Sequence, residues 1–308
     1  MKKNKIPAGF ILAALLLISI TACSFIDYAE SDTLIVSAKE AVKLMEKGYT
    51  LVDAQKASSY EKGHIETAVN IERKAIMISD PVPNTLATPE IIEQAAGKAG
   101  LTENTNILIY DDNKNMDATR LFWTLKIYGH KGDIKIISGG FLALLDEGLK
   151  ETKKASSVTP AAYTASALDK SMIEKKGKIW GLIDDPDEDI VLIDVRSFDE
   201  YAEGTIPGAI HINHERNMFV NDEKGTTFRP VSHNRILYKE MGITPDKEII
   251  MFCKSSVRAA NTYAALYNAG YRNLKIYDGA WLEWEASNLP VFKPEVSGAA
   301  TTAVEDNS

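Results

Sequence analysis

Three features are scarce in this chain: cysteine, positive charge and long apolar stretches. It has two cysteines, Cys23 and Cys253, among 308 residues. The formal net charge of −8 argues against a general nucleic-acid-binding protein. The apolar run Phe10–Ile20 is too short to span a bilayer as a mature helix. A composition of 45% hydrophobic and 25% charged residues fits a globular protein, and the length allows two domains.

The first residues have the pattern of a targeting segment. Lys2, Lys3 and Lys5 precede the apolar run, and Ile20-Thr-Ala-Cys23 follows it. This order predicts a signal peptide over residues 1–22, although an uncleaved anchor is the alternative. The cysteine resembles that of a bacterial lipobox, which implies cleavage before Cys23 and lipid attachment to it. We therefore expect an exported, membrane-anchored lipoprotein.

A lipidated Cys23 leaves Cys253 without a partner in the chain. A lone thiol outside the cytoplasm is a liability unless it is used, which favours a functional Cys253. The apolar strand pattern before it and the helix-forming run after it predict a sulfur above the amino end of a helix, where an anion is favoured. Lys254 and Arg258 add two cations to the loop, and the thiolate is the reactive form of cysteine. An inert core thiol is the alternative.

The chain contains an internal repeat with a spacing of about 141 residues. Residues of the first copy recur in the same order in the second. The matching pairs are Leu51-Val-Asp53 and Leu192-Ile-Asp194, Tyr60 and Tyr201, Gly63 and Gly204, Ile65 and Ile206, and Ala68 and Ala209. The repeat predicts two copies of one domain.

Each copy has the pattern of an α/β domain, a parallel sheet flanked by helices. Apolar strands alternate with helical stretches, which is typical of such a sheet. In the second copy the predicted strands are Ile190–Asp194, Glu248–Phe252 and Leu274–Tyr277, and the predicted helices include 235–240 and 259–269. Ligands of such sheets bind beyond the carboxyl ends of the strands, where Asp194 and Cys253 fall.

Composition predicts the boundaries of these units. The first domain is expected over residues 31–150 and the second over residues 163–293. Residues 151–162 have the composition of a linker. The small, polar tail over residues 294–308 is expected to be disordered.

Four segments of the second copy resemble the rhodanese (sulfurtransferase) family in its tandem form, which includes thiosulfate and mercaptopyruvate sulfurtransferases. These segments are Asp194-Val-Arg196 with Glu200-Tyr201, Gly204-Thr-Ile-Pro-Gly-Ala209, Cys253-Lys-Ser-Ser-Val-Arg258 and Tyr277-Asp-Gly-Ala-Trp-Leu-Glu-Trp284. The resemblance covers nearly all of the expected mature chain.

The resemblance implies a sulfurtransferase that works through a persulfide on Cys253. The partners would be a small sulfur donor, such as thiosulfate, and a thiophilic acceptor, such as cyanide or a thiol. No metal or organic cofactor is needed. Residues expected to bind the substrate are Lys254, Ser255, Ser256, Val257, Arg258 and Arg196, with Asp194 as structural support. From its place in the Asp-x-Arg motif, Arg196 would lie near the pocket or brace it. We expect a monomer.

Three residues depart from the family pattern. Thr205 replaces a histidine that the first copy keeps as His64. Ser256 stands where related loops often carry glycine, and it would be strained there if the position needs a positive φ. Glu200 stands where some tandem enzymes place a substrate-binding arginine, and it would repel a carboxylate donor, which favours thiosulfate over 3-mercaptopyruvate.

The first copy is predicted to be catalytically silent. It has Asp111 where the second copy has Cys253, in the longer loop Asp111-Asp-Asn-Lys-Asn-Met-Asp117. A carboxylate cannot carry a transferable sulfur, and three aspartates would repel an anionic donor. We expect this copy to pack against the active copy and to wall its pocket.

Other functions remain as alternatives. One is a 3-mercaptopyruvate sulfurtransferase, and another is a binding module without catalysis. A third is a phosphatase of the same fold, whose loop has five residues between cysteine and arginine, whereas this loop has four. His211, His214 and Glu215 lack the context of a metal site, so none is predicted.

Overall fold

The computed structural model describes residues 27–295 of the chain. The predicted signal peptide, the predicted lipidation residue Cys23 and all but the first two residues of the predicted tail lie outside this range.

The first domain is an α/β unit of nine strands and five α-helices. Its strands are β1 (Ile35–Val36), β2 (Thr50–Asp53), β3 (His64–Ile65), β4 (Val69–Asn70), β5 (Met77–Ile78), β6 (Thr85–Leu86), β7 (Ile107–Tyr110), β8 (Ile134–Ile137) and β9 (Glu151–Thr152). Its helices are α1 (Ala38–Glu46), α2 (Ala57–Tyr60), α3 (Pro89–Lys98), α4 (Met116–Ile127) and α5 (Gly140–Asp146), with a 3₁₀ turn at Arg73–Ile76.

The second domain repeats this arrangement. Its strands are β10 (Ile173–Glu174), β11 (Ile190–Asp194), β12 (Ile210–His211), β13 (Met218–Phe219), β14 (Thr227–Phe228), β15 (Glu248–Phe252) and β16 (Leu274–Tyr277). Its helices are α6 (Lys176–Asp184), α7 (Phe198–Glu203), α8 (Val231–Glu240), α9 (Val257–Asn268) and α10 (Ala280–Ala286), with 3₁₀ turns at Lys170–Met172 and His214–Asn217.

The two main sheets have the same parallel topology, as the repeat predicted. The strand orders are β1-β8-β7-β2-β4 in the first domain and β10-β16-β15-β11-β12 in the second. In the second sheet Asp194 is paired with Phe252, the residue before Cys253. Asp194 and Cys253 therefore leave neighbouring strands at the same carboxyl edge, where ligands of such sheets bind.

The linker is more ordered than its composition indicates. Its first two residues form β9, which pairs with β3 of the first domain. The Ala161 N–H donates to the Gly97 carbonyl of α3 (2.9 Å), and a Cβ on Gly97 would lie 2.6 Å from the Ala161 oxygen. Residues 163–169, expected to open the second domain, also contact the first through hydrogen bonds near the end of α4.

Residues 28–34, which we call the N-terminal strap, cross from the second domain to the first. The carbonyl of Asn268, at the end of α9, accepts from the Asp32 N–H (2.7 Å). The ring of Tyr28 meets that of Tyr271 edge to face, with centroids 5.4 Å apart. The described fold thus begins slightly before its expected start.

One apolar core runs through both domains. Buried residues of the first domain, such as Trp123 and Phe122, belong to the same cluster as Met251 and Tyr263 of the second. Helices α4 and α9 meet there, with Phe122 packed against Tyr263 (centroids 6.5 Å apart). The first domain therefore packs against the second as expected.

Within residues 27–295, no helix combines the length and the apolar character that a membrane span requires.

Candidate active site

Cys253 lies in a tight loop between β15 and α9. It is 1% exposed and is a free cysteine. Its carbonyl accepts from the Trp281 N–H (3.0 Å), and the Lys254 carbonyl accepts from the Leu282 N–H (3.2 Å), so the start of α10 holds the loop. The first N–H groups of α9 have no acceptor within the helix and provide an anion-binding end. Lys254 itself is exposed.

Ser256 stands where related loops often carry glycine, and it adopts the positive φ at which serine was expected to be strained. Its φ is 64°, and this conformation costs a non-glycine residue about 1–2 kcal/mol. The buried hydroxyl donates towards the carbonyls of Asp278 (2.7 Å) and Tyr277 (3.1 Å). Since a hydrogen bond contributes about 0.5–1.5 kcal/mol, these contacts offset much of the strain.

Arg258 lies beside Cys253 and is paired with Glu200. Its guanidinium donates to both carboxylate oxygens of Glu200, at 2.5 and 2.8 Å. These hydrogen bonds lower the pKa of Glu200 to about 2. Burial opposes the charged form of Arg258, but the bonds to Glu200 and the nearness of Cys253 raise its pKa. The expected substrate-binding cation is therefore present, but its charge is partly neutralised.

Of the two places expected for Arg196, the structure has the bracing one, and the side chain does not line the pocket as a substrate-binding residue. It is 2% exposed, and its Nη2 donates to Asp194 Oδ2 (2.6 Å) and to the Gly204 carbonyl (2.6 Å). Its guanidinium also lies over the Trp281 ring, 4.3 Å from the centroid. The buried carboxylate of Asp194 explains this placement, and the Arg196–Asp194 pair lies behind the loop.

The substitution at Thr205 is accommodated in the same cluster. Its hydroxyl donates to Asp194 Oδ2 (2.8 Å). In the first domain the matching His64 bonds through Nδ1 to the Tyr60 carbonyl (2.7 Å), and Tyr110 donates to Asp53 instead (2.6 Å). Each domain therefore satisfies its buried aspartate with a different donor.

The loop Asp111–Asp117 of the first domain, which we call the silent loop because it has no cysteine, contains an anion in the matching place. The buried carboxylate of Asp111 accepts from the backbone N–H groups of Asn113 (2.9 Å), Asn115 (2.9 Å) and Ala118 (2.8 Å). Burial, and then the charge of Asp117, raise the pKa of Asp111 to about 6. The backbone of this kind of loop thus forms a nest that holds a negative group.

Two histidines of the second domain, His211 and His214, lie in packed environments within the fold. His211 Nε2 bonds to the Arg196 carbonyl (2.9 Å), and the ring stacks on Tyr201. Burial, and then the charge of Arg258, lower the pKa of His214 to about 4. Across residues 27–295, no group of three or more His, Cys, Asp or Glu side chains is arranged to hold a metal ion.

The sequence predicted that the first domain walls the pocket, but it did not identify the residues that make the contact. Asn84 Nδ2 donates to Ser255 Oγ (3.0 Å), and Arg120 Nη2 donates to Asp278 Oδ1 (2.8 Å). No local motif marks Asn84 or Arg120, because their partners lie more than 150 positions away in the chain.

The fold and the site define a tandem α/β protein in which one loop presents a thiol and the equivalent loop presents a carboxylate. The family model of the rhodanese-like domain matches residues 37–147 and 176–287. The chain therefore belongs to the rhodanese family, with two rhodanese-like domains, as its repeat and motifs predicted.

Relatives and solved structures agree with this membership. The chain is 30% identical to "Sulfur carrier protein TtuD" of Thermus thermophilus, over 77% of this chain and 87% of the relative. It is 28% identical to a "Putative thiosulfate sulfurtransferase" of Saccharopolyspora erythraea, over 79% and 89%. The fold also matches the crystal structure of SseA from Escherichia coli, described as a 3-mercaptopyruvate sulfotransferase. The TM-score is 0.71 at 24% sequence identity, over 81% of this chain and 99% of SseA. At that identity the likeness shows the fold.

Proposed function

We propose that this protein is a rhodanese-type sulfurtransferase in which Cys253 carries the sulfur and thiosulfate is the favoured donor. The prediction of a sulfurtransferase is confirmed at the level of the enzyme class, since relatives that match most of the chain are named as sulfurtransferases. The assignment of the sulfur to Cys253 and the choice of donor are our own.

The reaction has two displacement steps. The Cys253 thiolate attacks the outer sulfur of thiosulfate, and the sulfur–sulfur bond of the donor breaks as sulfite leaves with the electron pair. The product is a persulfide on Cys253. A nucleophilic acceptor, cyanide or a thiolate, then attacks the outer persulfide sulfur, and the Cys253 thiolate is released.

The loop backbone is suited to hold the negative persulfide. In the silent loop, three N–H groups surround the carboxylate of Asp111 at 2.8–2.9 Å. Cys253 occupies the corresponding position before α9, and this internal comparison is the observation that carries the proposal. Ser255, Ser256 and Val257 provide the backbone of the loop.

Two cations border the thiol and suit the sulfonate oxygens of thiosulfate. Lys254 is exposed at the loop, and Arg258 lies beside Cys253. Charge-assisted hydrogen bonds of this type are about twice as strong as neutral ones. In the resting protein Glu200 pairs with Arg258, so thiosulfate must share or displace that carboxylate.

The proposal is tested by replacing the thiol and the silent carboxylate in turn. Cys253→Ser is expected to abolish sulfur transfer from thiosulfate to cyanide while the circular dichroism spectrum is retained, because serine keeps the size but not the soft nucleophile. Asp111→Ala is the matched control in the other loop and is expected to retain near-normal turnover. Mass spectrometry of the wild type after thiosulfate treatment is expected to locate one added sulfur on Cys253. More than a trace of activity in Cys253→Ser contradicts the persulfide mechanism.

The proposal includes export and a lipid anchor at Cys23. It is supported by the lysines, the short apolar run and the small residues before Cys23. Tyr28, five positions later, already contacts the fold, so the lipid would hold the protein within about 18 Å of its attachment point. The membrane is then a partner through the anchor alone.

Mass spectrometry of the membrane fraction tests the anchor. The mature chain is expected to start at a lipid-modified Cys23, and Cys23→Ala is expected to leave it unprocessed or released from the membrane. An unmodified Cys23, or a mature start elsewhere, contradicts the proposal.

We also propose that the protein acts as a monomer, because a single chain supplies both packed domains. Light scattering of the mature protein checks its oligomeric state.

A further inference from the structure

Each domain places a β-hairpin against the loop of the other. The hairpin β13–β14 of the second domain contacts the silent loop, where the Thr226 carbonyl accepts from Asn115 Nδ2. The hairpin β5–β6 of the first domain contacts the Cys253 loop, where Asn84 Nδ2 donates to Ser255 Oγ (3.0 Å). Because the sheets share one topology, the two contacts are counterparts, but only one of them lies at a thiol.

A buried arginine of the first domain strengthens the contact at the thiol. Arg120, on α4, is fully buried, and its Nη2 donates to Asp278 Oδ1 (2.8 Å) and to the Asn84 carbonyl (3.3 Å). The Leu86 N–H, from the same hairpin, donates to the other oxygen of Asp278 (2.7 Å). Asp278 is therefore held from two sides by the first domain.

Asp278 belongs to the turn on which the Cys253 loop rests. Its carbonyl accepts from the Ser256 hydroxyl (2.7 Å), and the Trp281 N–H, three positions later, donates to the Cys253 carbonyl (3.0 Å). Hydrogen bonds thus join Arg120 to the turn that begins at Asp278, and this turn also bonds to Ser256 and, through Trp281, to Cys253.

We propose that Asn84 and Arg120 of the silent domain are positioning residues for the Cys253 loop. This inference rests on the proposed function and adds a role for the first domain beyond covering the pocket. A nest of N–H groups stabilises an anion only in the correct geometry, and small displacements of a reacting group cost rate. A buried ion pair such as Arg120–Asp278 contributes little net stability. The role that we assign to this pair is to hold Asp278 in place.

The experiment compares the two counterpart hairpin contacts. Asn84→Gly removes the side chain without backbone strain, because Asn84 has a φ of 69°. Ser138→Ala is the matched control: Ser138 Oγ accepts from the Phe228 N–H (2.9 Å) across the same interface, but near the silent loop. Both variants lose one interdomain hydrogen bond.

Two readouts are measured on the full-length mature protein. Asn84→Gly is expected to lower kcat/KM for thiosulfate by about 2- to 10-fold, the equivalent of one hydrogen bond. It is also expected to raise the rate at which iodoacetamide alkylates Cys253 in the native protein, since the thiol is 1% exposed in the ordered loop. Ser138→Ala is expected to match the wild type in both. Urea unfolding of each variant measures the loss of stability separately.

Arg120 is tested by a radical and a conservative change. Arg120→Met is expected to show the same two effects more strongly, and Arg120→Lys is expected to recover part of the wild-type values. If Arg120→Met does not fold, Asn84→Gly decides alone.

Equal behaviour of Asn84→Gly and Ser138→Ala in both readouts overturns the positioning role, because the contact is then only part of the interface. If the wild type transfers no sulfur, the proposed function fails, and the alkylation rates still decide whether Asn84 orders the loop.

Discussion

At the scale of single residues, the Cys253 loop and the silent loop differ in the side chain that follows the strand. Both loops follow a buried strand and lead into a twelve-residue helix, with two left-handed residues in the first loop, Lys114 and Asn115, and one in the second, Ser256. The carboxylate of Asp111 already accepts from the N–H groups of its own loop, so these donors are occupied. Cys253 places a thiol in the same position, and in the proposed reaction a second sulfur is added to it and removed. On this proposal, the two loops differ in function because their nests hold different groups.

The first prediction concerns Arg258. Arg258→Ala is expected to lower kcat/KM for thiosulfate by at least about tenfold, since a charge-assisted contact in the bound complex contributes about 1.5–3 kcal/mol. The measurement is steady-state kinetics with cyanide as the acceptor. A silent Arg258→Ala variant, or a wild type that uses 3-mercaptopyruvate more efficiently than thiosulfate, contradicts the argument from loop charge.

Glu200→Gln provides the control for this prediction. It removes the carboxylate that competes with the donor for Arg258 while it keeps an acceptor for the guanidinium. Because partly exposed ion pairs contribute about 0.2–1 kcal/mol, the KM for thiosulfate is expected to fall by up to about fivefold. A rise in KM would mean that Glu200 is needed to hold Arg258 in place.

At the scale of elements, the sequence predicts the strands of the second sheet better than its helices. The predicted strands at 190–194, 248–252 and 274–277 have the observed bounds, because each is a short apolar run between polar residues. The predicted helices at 235–240 and 259–269 begin at 231 and 257 instead. Helix starts depend on local cap geometry, which the apolar pattern does not contain.

The same limit applies to the site. The motifs identify Cys253 and its loop, since these residues are adjacent in sequence. The role of Arg196 could not be read from its motif, because the residue can turn towards the pocket or towards Asp194, and burial selects the second. The pairing of Arg258 with Glu200 joins positions 58 apart, and spacing alone gives no indication of it.

A pH dependence of stability is predicted for the 3₁₀ turn that carries His214. The pKa of this histidine is about 4 in the folded protein, below its ordinary value of 6.5. The unfolded chain therefore binds the proton more readily, and the stabilisation present above pH 6.5 is lost as the pH falls towards 4. His214→Gln is expected to reduce this loss by up to about 3 kcal/mol.

Urea unfolding of wild type and His214→Gln at about pH 5 and about pH 7 measures the effect. The difference in unfolding free energy between the two pH values is expected to be smaller in the variant. Equal differences in the two proteins mean that His214 is not the group responsible.

At the scale of the whole molecule, the site is a product of both halves of the chain. Asn84 reaches Ser255 of the Cys253 loop across a sequence separation of 171 residues, and Arg120 reaches Asp278 of the supporting turn across 158. The N-terminal strap and the linker add two further crossings between the domains. A local pattern predicts that two domains exist, but the pairing of side chains across them depends on how the domains pack.

The continuous core predicts that the two domains unfold together. Buried residues of α4 and α9 belong to one apolar cluster, and the strap ties the end of α9 to β1. An interface of this kind is large and apolar, unlike the polar contacts that allow domains to move independently. Hydrogen exchange followed by mass spectrometry, at increasing urea concentrations, is therefore expected to show β7 and β15 losing protection at the same midpoint. Exchange in β7 at a clearly lower urea concentration than in β15 would mean that the silent domain opens first, and that the active loop can lose its supports while its own sheet stays folded.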